Sequence, residues 1–146
     1  MSNEVFYQAG LRFQCTRCSK CCRHTPGYVF LSSSDVDILS AALGTDRQGI
    51  LREYCRGVPL GLARRISLRE KADFDCIFWE NGGCSVYDAR PLQCRSFPFW
   101  SGCVSSREEW ENHGRQCPGI GHGHLHSRHE IEKWLEERLR EGFLEA

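Results

Sequence analysis

The chain has 146 residues, of which 19 are basic and 19 acidic, so its formal net charge at pH 7 is zero. This length suits one hydrophobic core, and we expect residues 1–146 to form a single domain. A neutral chain exerts no overall attraction on nucleic acid or on an anionic membrane surface. Its apolar runs are also shorter than the roughly 18 residues that a membrane span needs. We therefore expect neither nucleic acid nor a membrane as a partner.

The amino terminus indicates the compartment, and the compartment determines how the cysteines are interpreted. The segment MSNEVFYQAG carries an acidic residue but no basic residue and no apolar stretch of about 7 to 15 residues, unlike a secretory signal. We therefore expect a cytoplasmic protein, in which thiols are kept reduced. Ten cysteines among 146 residues then indicate metal binding rather than disulfide bonds.

Four of these cysteines lie close together, in the segment RFQCTRCSKCCRH. Cys15, Cys18 and Cys21 make two overlapping Cys-x-x-Cys steps, a spacing at which a tight turn directs two sulfurs at one ion. Cys22 adds a fourth sulfur, which diverges from that of its neighbour because adjacent side chains point apart. The segment predicts either two metal sites or one metal ion and an additional thiol.

Two short helices are predicted to follow this cluster. The segment SSSDVDILSAALG indicates a helix capped by Ser34, with aspartates in its first turn and Gly44 at its end. A second helix is expected to begin after Thr45 or Asp46 and to stop at Gly57. We interpret both helices as scaffold.

The middle of the chain predicts β structure and one more short helix. The segment RRISLRE alternates polar and apolar residues, which is typical of a strand. The segment DCIFWENGGCSVY predicts a β-hairpin that turns at Asn81 and the two glycines after it, bringing Cys76 near Cys84. Pro91 is expected to open a single helical turn that carries Cys94.

The last stretch, HSRHEIEKWLEERLREGFLEA, predicts a long amphipathic helix over about residues 127–143. Ser127 and Glu130 form a capping box. A stripe of period 3.6 is expected to pack on the core rather than on a partner; it consists of Ile131, Trp134, Leu135, Arg138 and Leu139. Together these elements predict a small α+β fold that is metal-stabilised and loop-rich, with short helices, one β-hairpin and this long helix.

Four histidines follow the last cysteine, Cys117: His122, His124, His126 and His129. Imidazole is a good ligand for zinc or nickel, so metal binding by this segment is one interpretation. The glycines between the histidines would let the segment fold over a nearby ion. Because such permissive segments are common in loops, the favoured interpretation is a polar loop that runs into the helix cap.

The remaining cysteines complete a candidate set of eight ligands. Cys117 precedes Pro118, as in many ferredoxin patterns, and Cys76, Cys84 and Cys94 lie beside turn-forming residues. Eight thiolates are enough for two four-thiolate sites. One testable grouping joins Cys15, Cys18, Cys21 and Cys117 at one site and Cys22, Cys76, Cys84 and Cys94 at the other. The two other cysteines are interpreted as a packed thiol, Cys55, and an incidental loop thiol, Cys103.

Three blocks of the chain, FQCTRCSKCCR, DCIFWENGGCSVYDARPLQCRSFPFW and CPGIG, resemble in their order the YkgJ-like CxxCxxCC family of zinc- or iron-chelating domains. The resemblance extends over about residues 13–121. It implies metal ligation by Cys15, Cys18, Cys21, Cys22, Cys76, Cys84, Cys94 and Cys117. A related cysteine cluster occurs in flagellin lysine methylases, but this chain shows no glycine-rich cofactor loop beside its own, so the resemblance implies no reaction.

The ligand type leaves both the metal and the function open. Four thiolates hold zinc or an iron–sulfur cluster. The cysteine run that ends at Cys21, together with the remote Cys117, favours a [4Fe-4S] cluster, whereas the hairpin cysteines with Cys94 suit zinc.

Two functions remain open. The first is a metal-binding protein whose ions build the fold. The alternative is a redox or metal-handling enzyme component that uses an iron–sulfur cluster. No catalytic triad, phosphate loop or paired-carboxylate motif stands out, which favours the first and leaves enzymatic activity open.

Overall fold

The computed structural model of the protein describes residues 5–16, 28–73, 75–80 and 83–145. Within these residues the chain forms a small mixed α/β fold, as predicted, with short strands that pair two by two. The strands are β1 Leu11–Phe13, β2 Cys55–Leu60, β3 Ala63–Leu68, β4 Trp79–Glu80, β5 Gly83–Cys84 and β6 Ile120–His126. The helices are α1 Ser33–Leu43, α2 Arg47–Tyr54, α3 Leu92–Ser96, α4 Arg107–Gly114, α5 Arg128–Glu141 and a 3-10 turn at Tyr87–Ala89. None of the described helices has the length and apolar character needed to cross a lipid bilayer.

The described residues fall into two compact units. Unit 1 contains residues 5–16 and 96–140, and unit 2 contains residues 28–95, with the gaps at 74 and 81–82, together with 141–145. Each unit has its own set of buried apolar side chains. In unit 1 they are Tyr7, Leu11, Phe99, Val104, Trp110, Ile120 and Ile131. In unit 2 they are Leu31, Val36, Leu39, Ile50, Cys55, Leu68, Phe78 and Val86.

Unit 1 is built around an antiparallel pair of strands from distant parts of the chain. β1 pairs with β6, with Leu11 opposite His126 and Phe13 opposite Ile120, and the register shifts between Arg12 and Phe13. This pairing corrects the prediction that the histidine segment is a polar loop. The segment forms a strand because β1 supplies the hydrogen-bonding partners that its own sequence does not predict.

Unit 2 contains two β-hairpins, where the sequence analysis predicted one. β2 and β3 pair in register from Cys55 opposite Leu68 to Leu60 opposite Ala63, and β4 pairs with β5. The predicted helix that was expected to run to Gly57 therefore ends earlier, at Tyr54. Pairing with β3 gives the backbone of β2 hydrogen-bond partners in an extended conformation, which outweighs a weak local helix propensity.

Helix α1 ends as predicted but begins earlier. Gly44 closes it in a left-handed conformation with φ 66°. The N-cap is Ser32 rather than Ser34, because Ser32 and Asp35 form a reciprocal capping box: the Ser32 hydroxyl accepts from the Asp35 backbone N–H at 3.1 Å, and the Asp35 carboxylate accepts from the Ser32 N–H at 2.9 Å.

Helix α5 confirms the predicted capping box. The Ser127 hydroxyl accepts from the Glu130 backbone N–H at 3.1 Å, and Glu130 Oε1 accepts from the Ser127 N–H at 3.4 Å. Ile131 is fully buried, but Leu139 is 84% exposed, so the packed stripe is shorter than predicted. The first turns of α5 therefore supply its contacts with the core of unit 1, whose partly buried members include Trp134.

Candidate metal centre

Two of the predicted ligands lie at or near the β4–β5 pair of unit 2: Cys84 on β5, and Cys76 three residues before β4. The antiparallel pairing of β4 with β5 confirms the predicted hairpin, whose predicted turn residues Asn81 and Gly82 lie outside the described residues. Cys84 lies opposite Trp79 in the register, and the Trp79 backbone N–H donates to the Cys76 carbonyl at 2.8 Å. Cys76 also forms a β-bridge with Glu70. Both cysteines are half-buried and pack against the core of unit 2. The local backbone thus places Cys76 three residues before Trp79, the residue that pairs with Cys84.

Cys94 lies on α3, the short helix predicted after Pro91. Its backbone N–H donates to the Pro91 carbonyl at 3.0 Å, and its side chain is half-buried. The helix is anchored by a buried carboxylate, since Asp35 Oδ1 accepts from the Leu92 backbone N–H at 2.9 Å. The Arg95 guanidinium lies 4.0 Å from the same oxygen. Asp35 therefore joins the capping box of α1 to the helix that carries Cys94.

This buried carboxylate leads to a stability prediction. Asp35→Ala is expected to lower the free energy of unfolding by about 3 kcal/mol, because the backbone N–H groups of Ser32 and Leu92 lose a buried acceptor and α1 loses its capping box. Denaturant unfolding measures this change. Asp37→Ala is the matched control, since its carboxylate pairs with Arg47 on the surface at 2.6 Å and such pairs contribute about 0–1 kcal/mol. Equal losses in the two variants would contradict this role of Asp35.

Arg90 and Arg95, which precede and follow Cys94 in the sequence, are held by local contacts. Arg90 lies over the ring of Tyr87 at 3.8 Å and donates from Nε to the Tyr87 carbonyl at 2.8 Å. Arg95 donates from Nε to the Arg90 carbonyl at 3.0 Å. These contacts hold both guanidinium groups close to the short helix that carries Cys94.

Cys15 and Cys117 belong to unit 1 and come from opposite ends of the chain. The Cys117 backbone N–H donates to the His113 carbonyl at 3.1 Å, at the end of α4. The Gln14 backbone N–H donates to the Gly119 carbonyl at 3.2 Å, so Cys15 directly follows a residue bonded to the segment after Cys117. Cys15 is exposed, and Cys117 is half-buried against the core of unit 1. The strand pairing thus brings the backbones near these two cysteines together.

Cys55 and Cys103 differ from the candidate ligands in burial. Their exposed fractions are 2% and 1%, and both are free thiols. Burial raises the pKa of each thiol to about 11; Arg69 opposes the shift at Cys55, and a backbone hydrogen bond with Trp100 opposes it at Cys103. Because the thiolate is the metal-binding form, neither side chain is suited to ligation at neutral pH. The packed interpretation of Cys55 is confirmed, but Cys103 is a buried residue rather than an incidental loop thiol.

The grouping of the eight sulfurs stays a prediction. Cys18, Cys21 and Cys22 lie outside the described residues. Among the described residues, the cysteines form no group of three with ligand atoms within 4.8 Å of one another. The described members of each predicted group nevertheless belong to one unit: Cys15 and Cys117 to unit 1, and Cys76, Cys84 and Cys94 to unit 2.

A comparison with known families finds one match, to the family model CxxCxxCC, over residues 14–118. The model is described as a "Putative zinc- or iron-chelating domain". The matched range includes all ten cysteines and ends before β6 and α5. No solved structure matches the chain.

Proposed function

Because this chain belongs to the CxxCxxCC family of zinc- or iron-chelating domains, we propose that it is a metal-binding protein that holds zinc or iron through eight cysteines. The ligands of this proposal are Cys15, Cys18, Cys21, Cys22, Cys76, Cys84, Cys94 and Cys117. The bound ions stabilise the fold, since a small chain with short strands and helices gains folding free energy when thiolates bind a metal.

The observation that carries the proposal is the contrast between two kinds of cysteine. Every described cysteine of the proposed set is exposed or half-buried. Cys76 lies just before β4, Cys94 on the short helix α3, and Cys117 after α4. Cys55 and Cys103, by contrast, are buried thiols with pKa values of about 11. Accessible sulfurs can reach an ion as thiolates, whereas buried neutral thiols act as small apolar side chains.

The proposal places two four-thiolate sites in one protein. One site uses Cys15, Cys18, Cys21 and Cys117. The other site uses Cys22, Cys76, Cys84 and Cys94. This arrangement is supported by the membership of the described cysteines in unit 1 and unit 2. A four-thiolate site binds zinc tetrahedrally or holds a [4Fe-4S] cluster, so the same ligands accept either metal.

Metal analysis of protein purified without oxygen tests the proposal. We expect either a colourless protein with about two zinc ions per chain, one for each four-thiolate site, or a coloured protein with iron, sulfide and absorbance near about 400 nm. The second result would favour the redox or metal-handling alternative over a purely structural role. A fully folded protein that contains no metal would overturn the proposal in both forms.

A further inference from the structure

A second group of potential metal ligands lies in unit 1. It contains no cysteine and lies outside the residues that the family model matches. His124, His126 and Glu130 place one ligand atom each within 4.8 Å of the other two. Among the described residues it is the one group of three such side chains that meets this distance. The two histidines lie on the same face of β6 because side chains alternate along a strand, and Glu130 lies in the first turn of α5.

The distances within this group are close to those of a metal site. Glu130 Oε2 lies 3.5 Å from His126 Nδ1 and 3.8 Å from His124 Nε2. Around a tetrahedral zinc ion, with bonds of about 2.0–2.1 Å, neighbouring ligand atoms lie about 3.3 Å apart. The imidazole rings are nearly perpendicular, with centroids 4.6 Å apart. A side-chain adjustment of a few tenths of an ångström on the carboxylate side would therefore suit a bound ion.

The hydrogen bond on the other side of His126 determines which ring nitrogen can bind a metal. His126 Nε2 lies 3.0 Å from the Phe13 carbonyl oxygen, which can only accept, so Nε2 carries the proton. In the neutral ring, Nδ1 then has a lone pair, and Nδ1 is the atom that faces Glu130. Metal-binding histidines commonly donate their other ring N–H to a carbonyl in this way.

The two oxygens of Glu130 have different roles. Oε1 accepts from the backbone and the hydroxyl of Ser127 in the capping box, at 3.4 and 3.3 Å, whereas Oε2 faces both imidazoles. The backbone hydrogen bond of Ser127 is the largest cause of a lowered pKa at Glu130; desolvation opposes it, and the Ser127 side chain, His126 and His124 add to it. The capping box thus holds an ionised carboxylate in a fixed position beside two imidazole nitrogens.

Two arginines of unit 1, Arg128 and Arg12, have acceptors of their own. Arg128 Nε donates to Glu132 at 2.7 Å, and its terminal nitrogen donates to Gln8. Arg12 donates to the Gly123 carbonyl at 3.0 Å. Each of these guanidinium groups thus has a hydrogen-bond acceptor other than the carboxylate of Glu130.

From this geometry we propose that His124, His126 and Glu130 bind a divalent transition metal ion of the zinc type, at a site separate from the cysteines. Two imidazoles and one carboxylate are the borderline ligands that zinc, nickel and related ions prefer. The side chains of His124 and Glu130 are 65% and 48% exposed, so the site is open to solvent and its ion exchanges more readily than one held by four thiolates.

The test is a titration of the purified holoprotein, with its cysteine sites loaded, using Zn²⁺ as the probe. Isothermal titration calorimetry is expected to show one additional saturable site in the unmodified protein and in His129→Ala, the matched control from the same helical turn as Glu130. His124→Ala and Glu130→Gln are expected to weaken this site at least about tenfold, since even outer-shell partners of metal ligands typically contribute about 10–100-fold. His124 is exposed, and glutamine can serve in a capping box, so both variants should fold.

Nitrogen-detected NMR of the histidine rings provides a second readout that is independent of stoichiometry. We expect the neutral ring of His126 to carry its proton on Nε2 and its Nδ1 resonance to shift when Zn²⁺ is added. No additional Zn²⁺ binding in the unmodified protein, or binding of equal strength in His124→Ala, would overturn the proposal. A proton on Nδ1 of the neutral His126 ring would overturn it as well.

Discussion

Cys94→Ser is expected to remove the metal of the unit 2 site and to lower the free energy of unfolding by several kcal/mol. The binding free energy of a structural zinc site, on the order of 10 kcal/mol, is coupled to folding, so the loss of one of four thiolates reduces both together. Cys94 lies on a short helix anchored by buried Asp35, which holds its backbone in place before the metal binds. Zinc and iron analysis per chain and denaturant unfolding measure the two effects.

The matched control for this variant is Cys55→Ser, in the same unit. Cys55 is 2% exposed, and its thiol has a pKa of about 11. Serine at this position buries a hydroxyl group at a cost of about 1–3 kcal/mol, but it removes no thiolate, so the metal content should stay unchanged. If both variants lose metal equally, or if neither does, Cys94 is not a ligand of the kind proposed.

Cys117→Ser is expected to remove the metal centre of unit 1 and to leave that of unit 2 occupied. Cys117 lies three residues after the end of α4, and its backbone carbonyl accepts from the Ile120 N–H at 3.2 Å, which turns the chain into β6. Under the proposed grouping, the single variants Cys94→Ser and Cys117→Ser each retain one metal centre, and the double variant retains none. Metal analysis of the three variants side by side measures this pattern.

Cys103→Ser is the control for unit 1, because Cys103 is buried and lies near enough to Cys117 for the charge of the Cys117 thiolate to help raise the pKa of Cys103. We expect this variant to keep both metal centres and to change stability little in comparison with Cys117→Ser. Complete loss of metal in either Cys94→Ser or Cys117→Ser alone would show a single shared site and would contradict the grouping into two.

Several features could be predicted from the sequence because a few neighbouring residues determine them. The capping box of α5 involves Ser127 and Glu130, which are three positions apart, and Gly44 ends α1 by its own left-handed conformation. β4 and β5 are likewise close in the sequence, so their pairing could be predicted from one short segment. The cysteine spacing from Cys15 to Cys22 carries its chemistry in the sequence itself, because thiolates at these intervals are metal ligands in many folds.

Other features depend on partners that are distant in the chain. β6 is a strand because β1 lies beside it, and α2 ends at Tyr54 because β3 pairs with the segment that follows. A local pattern does not contain the backbone hydrogen bonds that such a partner supplies, so these segments were predicted as a loop and as helix. Burial depends on the tertiary structure as well: Cys103 lies in a turn, as its sequence position indicated, yet it is only 1% exposed.

The sequence by itself determined which atoms are available for metal binding: many thiols at close spacing, and the histidines at every second position from His122 to His126. Only the tertiary structure decided which of them are suited to it. Burial keeps Cys55 and Cys103 protonated, because an apolar environment disfavours a thiolate. Pairing of β6 with β1 places the Phe13 carbonyl behind His126, and that hydrogen bond turns the lone pair of the other ring nitrogen toward Glu130.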